Sequence, residues 1–119
     1  MKYFMHLRER PFNAIKKGPK KVEGRVPDKL NSRYHQMKSG DSIDFENETN
    51  KEHIEVLIKF INHYPNIRSM LETEGVKNVL SSQPKTIEHG IESYNSFPGY
   101  KENVVKFGIF AIGVEPISK

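Results

Sequence analysis

Between Gly18 and Arg25 the chain reads Gly-Pro-Lys-Lys-Val-Glu-Gly-Arg, its densest grouping of side chains able to do chemistry. Side chains alternate faces along an extended strand, so Lys21, Glu23 and Arg25 fall on one side. Lys20 leaves the preceding turn and reaches the same mouth if the strand starts irregularly. A lysine, a carboxylate and a guanidinium at the rim of a sheet can hold a phosphate or polarise a carbonyl, with the carboxylate as a base. Charges on the open face of an edge strand also block pairing with other chains. On the pattern alone both readings stand.

Aromatic side chains make a second grouping. Tyr94, Phe97 and Tyr100 crowd a Pro98-Gly99 loop, and Tyr34 lies in the basic part of the chain. Near cations such rings stack nucleobases; they serve equally well to cap a hydrophobic core. His6, His35, His53, His63 and His89 show no metal-ligand spacing and there is no HExxH, so neither a metal nor a cofactor is expected. Ser93-Tyr94 lacks the glycines of a nucleophile elbow. The glycines never gather into a phosphate loop or a dinucleotide fingerprint. With no Cys, disulfides, thiolate metal sites and cysteine nucleophiles are excluded.

Several short elements must position these groups. Lys2–Leu7 reads as a first strand. Pro11 opens a helix with Phe12 and Ile15 on its apolar stripe, and Gly18 is placed to end it in the left-handed conformation. Lys20–Arg25 reads as a second strand, and Ser32–Lys38 as a helical turn. Alternation through Ser42–Glu46 marks a half-buried strand after the Gly40-Asp41 turn. Residues 47–50 form a polar turn. His53–Tyr64 carries β-branched residues at period two, although Ile54, Leu57, Ile58 and Ile61 also fit a helical stripe. Ile67, Met70 and Leu71 predict a helix stopping at Gly75, and Ile87, Ile91 and Tyr94 another. Phe97–Tyr100 reads as a loop, and Phe107–Val114 as a last strand buried on both faces. Five strands with three or four short helices, and no regular βαβ alternation, predict a small mixed barrel.

At 119 residues and 35% apolar composition the core must be economical, with 12 Phe and Tyr side chains helping to fill it. No stretch has the length of a membrane span, and the start MKYFMHLRERPF has no long apolar run or small-residue cleavage site. A cytoplasmic, monomeric protein without membrane contact is expected. The net charge of +4 is unevenly spread. Residues 1–38 carry 11 Lys and Arg against Glu9, Glu23 and Asp28, whereas residues 39–119 carry eight bases against 12 acids. That asymmetry suggests an anionic partner, nucleic acid or a phosphate-bearing ligand, unless surface lysines merely fall unevenly.

Three segments, in order, resemble the ASCH (activating-signal-cointegrator homology) family of the PUA-like superfamily. The first is Phe12-x-x-Ile15-x-x-Gly18-x-Lys20-x-x-Glu23-x-Arg25, the second Gly40-Asp41-x-Ile43-x-Phe45. The third runs Tyr94-x-x-Phe97-Pro98-Gly99-Tyr100, closed by Phe107-Gly108-Ile109-x-Ala111-Ile112. The resemblance implies an α+β fold, a PUA-like mixed β-barrel of about five to six strands with short helices at the rim, occupying residues 1–119 as one domain. It also implies a basic cleft for RNA or a modified nucleoside, with Lys20, Lys21, Arg25, Tyr94 and Tyr100 as binding residues.

Lys20 and Glu23 would be the catalytic residues if the domain is a hydrolase. One bacterial branch of the family hydrolyses acetylcytidine with a Lys, a Thr and a distant Glu. Lys20 matches that Lys, Glu23 stands where that branch has Thr, and Glu74 is the candidate for the distant Glu. Another member is similar to a ribonuclease. Three functions follow as expectations. The first is an RNA- or nucleoside-binding module. The second is a hydrolase, an acetylcytidine-type amidohydrolase or a ribonuclease, in which Glu23 activates water and Lys20 or Arg25 steadies the oxyanion. The third is a protein-interaction domain with these charges in a structural network and the cleft plugged by Tyr94 or Phe97.

Overall fold

A computed structural model of the chain describes residues 1–117. Alternation of side chains builds the first strand, β1 (Lys2–Leu7), in which Tyr3, Met5 and Leu7 are buried and Lys2, Phe4 and His6 exposed. Helix α1 (Glu9–Lys17) follows and buries Phe12 and Ile15 completely; Gly18, at φ 107°, ends it. Strand β2 (Val22–Arg25) and the single turn α2 (Arg33–Gln36) lead to β3 (Ser42–Asn47) and the long β4 (His53–Tyr64). Four helices then run in succession: α3 (Ile67–Glu74), α4 (Val76–Val79), α5 (Ile87–Asn95) and α6 (Tyr100–Phe107). Strand β5 (Ile109–Pro116) closes the order.

The five strands form one sheet in the order β1-β3-β4-β5-β2. β1 runs parallel to β3, with Met5 opposite Phe45, and the other pairings are antiparallel. β5 explains its unbroken apolar sequence by separating two cores. Ile112 and Val114 join Phe12, Ile15, Phe45 and Val56 on one side. Ile109 and Ala111 join Met70, Leu71, Val79 and Tyr94 on the other.

β1 and β2 are the two ends of this sheet, which curls into a half-barrel. No backbone ladder joins them. Side chains bridge the seam instead: Arg25 Nη2 donates to the His6 carbonyl at 2.9 Å, and Arg33 Nη1 to the Phe4 carbonyl at 2.8 Å. The carbonyls of an open edge need partners, and guanidinium groups supply them.

The structure resolves the strand-or-helix ambiguity of His53–Tyr64 in favour of strand, with a register shift between Ile58 and Phe60. It differs from expectation in several places, the first being that α1 begins at Glu9, two residues before Pro11. β2 begins at Val22 rather than Lys20, because the preceding amides bond to other elements. α4 and α6 are additional helices, and Tyr100 opens α6 rather than lying in a loop. Phe107 belongs to the end of α6, and Gly108, at φ 73°, separates it from β5. Among the described residues no helix is long and apolar enough to cross a membrane.

Candidate functional site

The turn out of α1 aims Lys20. The Gly18 amide bonds back to Ala14 and Ile15, and the Lys20 amide also reaches the Ala14 carbonyl at 3.1 Å. The next amide, that of Lys21, donates to the Asn78 carbonyl at 2.8 Å. Held by different elements, the two lysines diverge: Lys20 is buried and Lys21 exposed. Alternation along β2 then puts Glu23 and Arg25 on one face, with Val22 and Gly24 on the other.

All three ammonium protons of Lys20 have acceptors. Nζ donates to the Val22 carbonyl at 2.7 Å and to the Val79 carbonyl, and lies 3.3 Å from Glu23 Oε1. The other carboxylate oxygen, Glu23 Oε2, accepts from Arg25 Nε at 2.7 Å. Glu23 thus bridges two cations, one oxygen to each. Burial pushes the Lys20 ammonium down from its ordinary range, with Glu23 opposing the shift. Burial alone would raise the Glu23 carboxyl, but the Arg25 and Lys20 charges overcome it and hold the group below the usual carboxylate range. The Arg25 guanidinium loses by burial and gains more from Glu23, so it stays charged.

This trio lines a cavity of about 640 Å³ at the seam between the two edge strands. Leu7 and Arg8 border it from the end of β1, Arg10 and Pro11 from the start of α1, and Tyr94, Phe97 and Tyr100 from the α5–α6 turn. The Tyr94 and Tyr100 rings lie nearly parallel, 8° apart with centroids 6.4 Å from one another, and Phe97 meets both edge-on. Burial pushes both tyrosine hydroxyls up, so they remain protonated donors at neutral pH. The Arg8 guanidinium lies 4.8 Å from the Phe97 centroid. Arg8 and Arg10 are exposed, and among the described residues neither forms an ion pair. The cations Arg8, Arg10, Lys20 and Arg25 face only two carboxylates in the lining, Glu23 and Glu48.

Of the residues singled out in the sequence, Lys20, Glu23, Arg25, Tyr94 and Tyr100 meet around this one cavity. Lys21 does not: its side chain is exposed and lies outside the lining. Glu74 is elsewhere, accepting from the Tyr64 hydroxyl and from Asn62 Nδ2. Ser81, Ser82, Arg8 and Arg10 were not singled out. The Arg8-Glu9-Arg10-Pro11 run at the mouth of α1 was the available signal for the arginines, and no pattern marked the serines. Among the described residues no three His, Cys, Asp or Glu side chains cluster as a metal site would require.

The family model described as the ASCH domain matches residues 5–118. The crystal structure of the hypothetical protein PH0355 is similar, with a TM-score of 0.83 and 40% identity over 98% of this chain and 100% of that one. So is the solution structure of PF0455 from Pyrococcus furiosus, with a TM-score of 0.76 and 38% identity over the whole of both chains. A mutant of ZmASCH from Zymomonas mobilis shares the fold at 16% identity and a TM-score of 0.57, over 96% of this chain and 69% of that one. No curated protein matches the chain.

Proposed function

The chain belongs to the ASCH domain family, and on that footing we propose that its seam cavity binds RNA or a modified nucleoside. The observation that carries this reading is the composition of one cavity wall set against another. A buried Lys20–Glu23–Arg25 network faces three aromatic rings, with unpaired Arg8 and Arg10 at the mouth. The rings and tyrosine hydroxyls suit a base, the outer arginines suit phosphates, and the volume lies within the usual range for a small-ligand site. The opening also weighs against a cleft plugged by Tyr94 or Phe97.

The test is fluorescence anisotropy with single-stranded RNA across a salt series. Arg8→Ala and Arg10→Ala are expected to weaken binding and each to lower the salt slope by about 1, as the loss of one phosphate contact does. Wild-type protein that retained neither RNA nor any nucleoside of a modified panel would overturn the reading.

One observation favours hydrolysis as a second reading: Lys20 is pushed down by burial beside a carboxylate. Lys20 Nζ and Glu23 Oε1 lie 3.3 Å apart in the cavity wall, placing an acid and a base side by side to serve an attacking water or ribose hydroxyl. Mass spectrometry with acetylcytidine and a short RNA tests this. Product that persisted in Lys20→Met, or no product at all, would remove it.

A further inference from the structure

Beyond the Pro98–Tyr100 turn lies a second cavity of about 350 Å³, and Pro98 and Tyr100 line both. Resting on the binding reading above, we infer that this second cavity is a subsite for a neighbouring nucleotide, so that the ligand is a single strand of two or more nucleotides rather than a lone nucleoside. Its lining has the chemistry of a base site. Tyr34 presents a ring with the Arg33 guanidinium 5.7 Å from its centroid, giving aromatic and planar cationic surface together. Asn103 offers an amide donor and acceptor, and Asp28 a further acceptor, for a base edge.

The partition between the cavities is fixed rather than mobile. The Tyr100 ring lies parallel to Tyr94 and meets Phe97 edge-on, with centroids 5.3 Å apart. Arg25 stands at the junction: it lines the first cavity and lies close enough to feel both Tyr34 and Tyr100. Nε donates to Glu23 and Nη2 to the His6 carbonyl, while Nη1 has no hydrogen bond among the described residues. A phosphate linking two bases across Tyr100 therefore meets a guanidinium edge with a donor to spare.

Isothermal titration of the full chain with the four ribonucleoside 5′-monophosphates and with the corresponding ribodinucleotides tests the inference. The dinucleotides are expected to bind roughly tenfold or more tightly than the better of their mononucleotides, the gain of one added stacked base. Tyr34→Leu, which keeps bulk beside Phe110, and Asn103→Ala, on the α6 surface, should each abolish most of that gain. Both should leave mononucleotide affinity within about twofold of wild type. Equal affinity for mononucleotides and dinucleotides in the wild type would overturn the second subsite while leaving the first cavity standing. So would variants that lost both ligands alike. Failure to bind any probe would overturn the binding reading and the subsite together.

Discussion

A methyl group at Gly24 would stand 2.5 Å from the Tyr94 hydroxyl oxygen and 2.9 Å from the ring carbon that bears it. The tyrosine that walls the cavity therefore brings its hydroxyl end against a strand residue whose missing side chain makes room for it. Gly24 has no left-handed backbone, so its value is space alone. We expect Gly24→Ala to cost about 1–3 kcal/mol, the usual range for overpacking a filled site. Tyr94→Phe in the same chain should recover part of the loss, since it removes the oxygen but leaves the ring carbon. Urea denaturation of the two single variants and the double variant measures the coupling. Additive effects would mean that strand and ring shift independently.

Glu23 makes the network's stability depend on acid. Burial pushes its carboxyl up, yet Arg25 and Lys20 hold it below its unfolded value of about 4.5. The unfolded chain then binds the proton first as pH falls, so the carboxylate's contribution is complete above that value and is lost through the folded pKa below it. Asp41, held low by the N-terminal ammonium, has the same sign. Glu23→Gln is expected to cost about 3 kcal/mol at neutral pH, because it leaves Lys20 and Arg25 buried without an anion. It should also flatten the decline of the urea midpoint below about pH 4.5. An acid limb of unchanged steepness in the variant would show that other carboxylates carry it.

Much of the fold was legible because the relevant physics is local. β1 and β3 alternate cleanly, and β5 is buried on both faces and carries no polar side chain from Ile109 to Val114. Gly18 and Gly75 mark the ends of α1 and α3. α6 was missed although Tyr100, Val104 and Phe107 are spaced as a helical stripe. Only Val104 among its residues is buried, and the Pro98-Gly99 pair reads as a turn. The site divides in the same way. Lys20, Glu23 and Arg25 stand out as charges on one short segment. The Val79 carbonyl that accepts from Lys20 is 59 residues away and belongs to the backbone, so no side-chain pattern announces it. Lys21 departs from the face of Glu23 and Arg25 for a related reason: its amide donates to the Asn78 carbonyl, a tertiary contact made before the strand begins.

Arg25 joins the seam cavity to the opposite edge of the sheet, which makes a conservative change at that position informative. Its Nε reaches Glu23 on its own strand, and its Nη2 reaches the His6 carbonyl on the opposite edge. A lysine keeps the charge but is a point donor, without the planar fork that spans two acceptors in different directions. Arg25→Lys is therefore expected to keep the ion pair with Glu23 and to lose the bridge to β1, at a cost of about 1.5–3 kcal/mol for a charged hydrogen bond. The loss should be localised. Amides of β1 paired with β3 should exchange faster in hydrogen–deuterium exchange, while those between β4 and β5 keep their protection. Arg33→Lys is the matched comparison: it removes the bridge to Phe4 without disturbing a buried carboxylate, and a smaller effect on β1 is expected. Unchanged exchange throughout β1 in Arg25→Lys would mean that pairing with β3 alone holds that edge and that the guanidinium serves only the cavity.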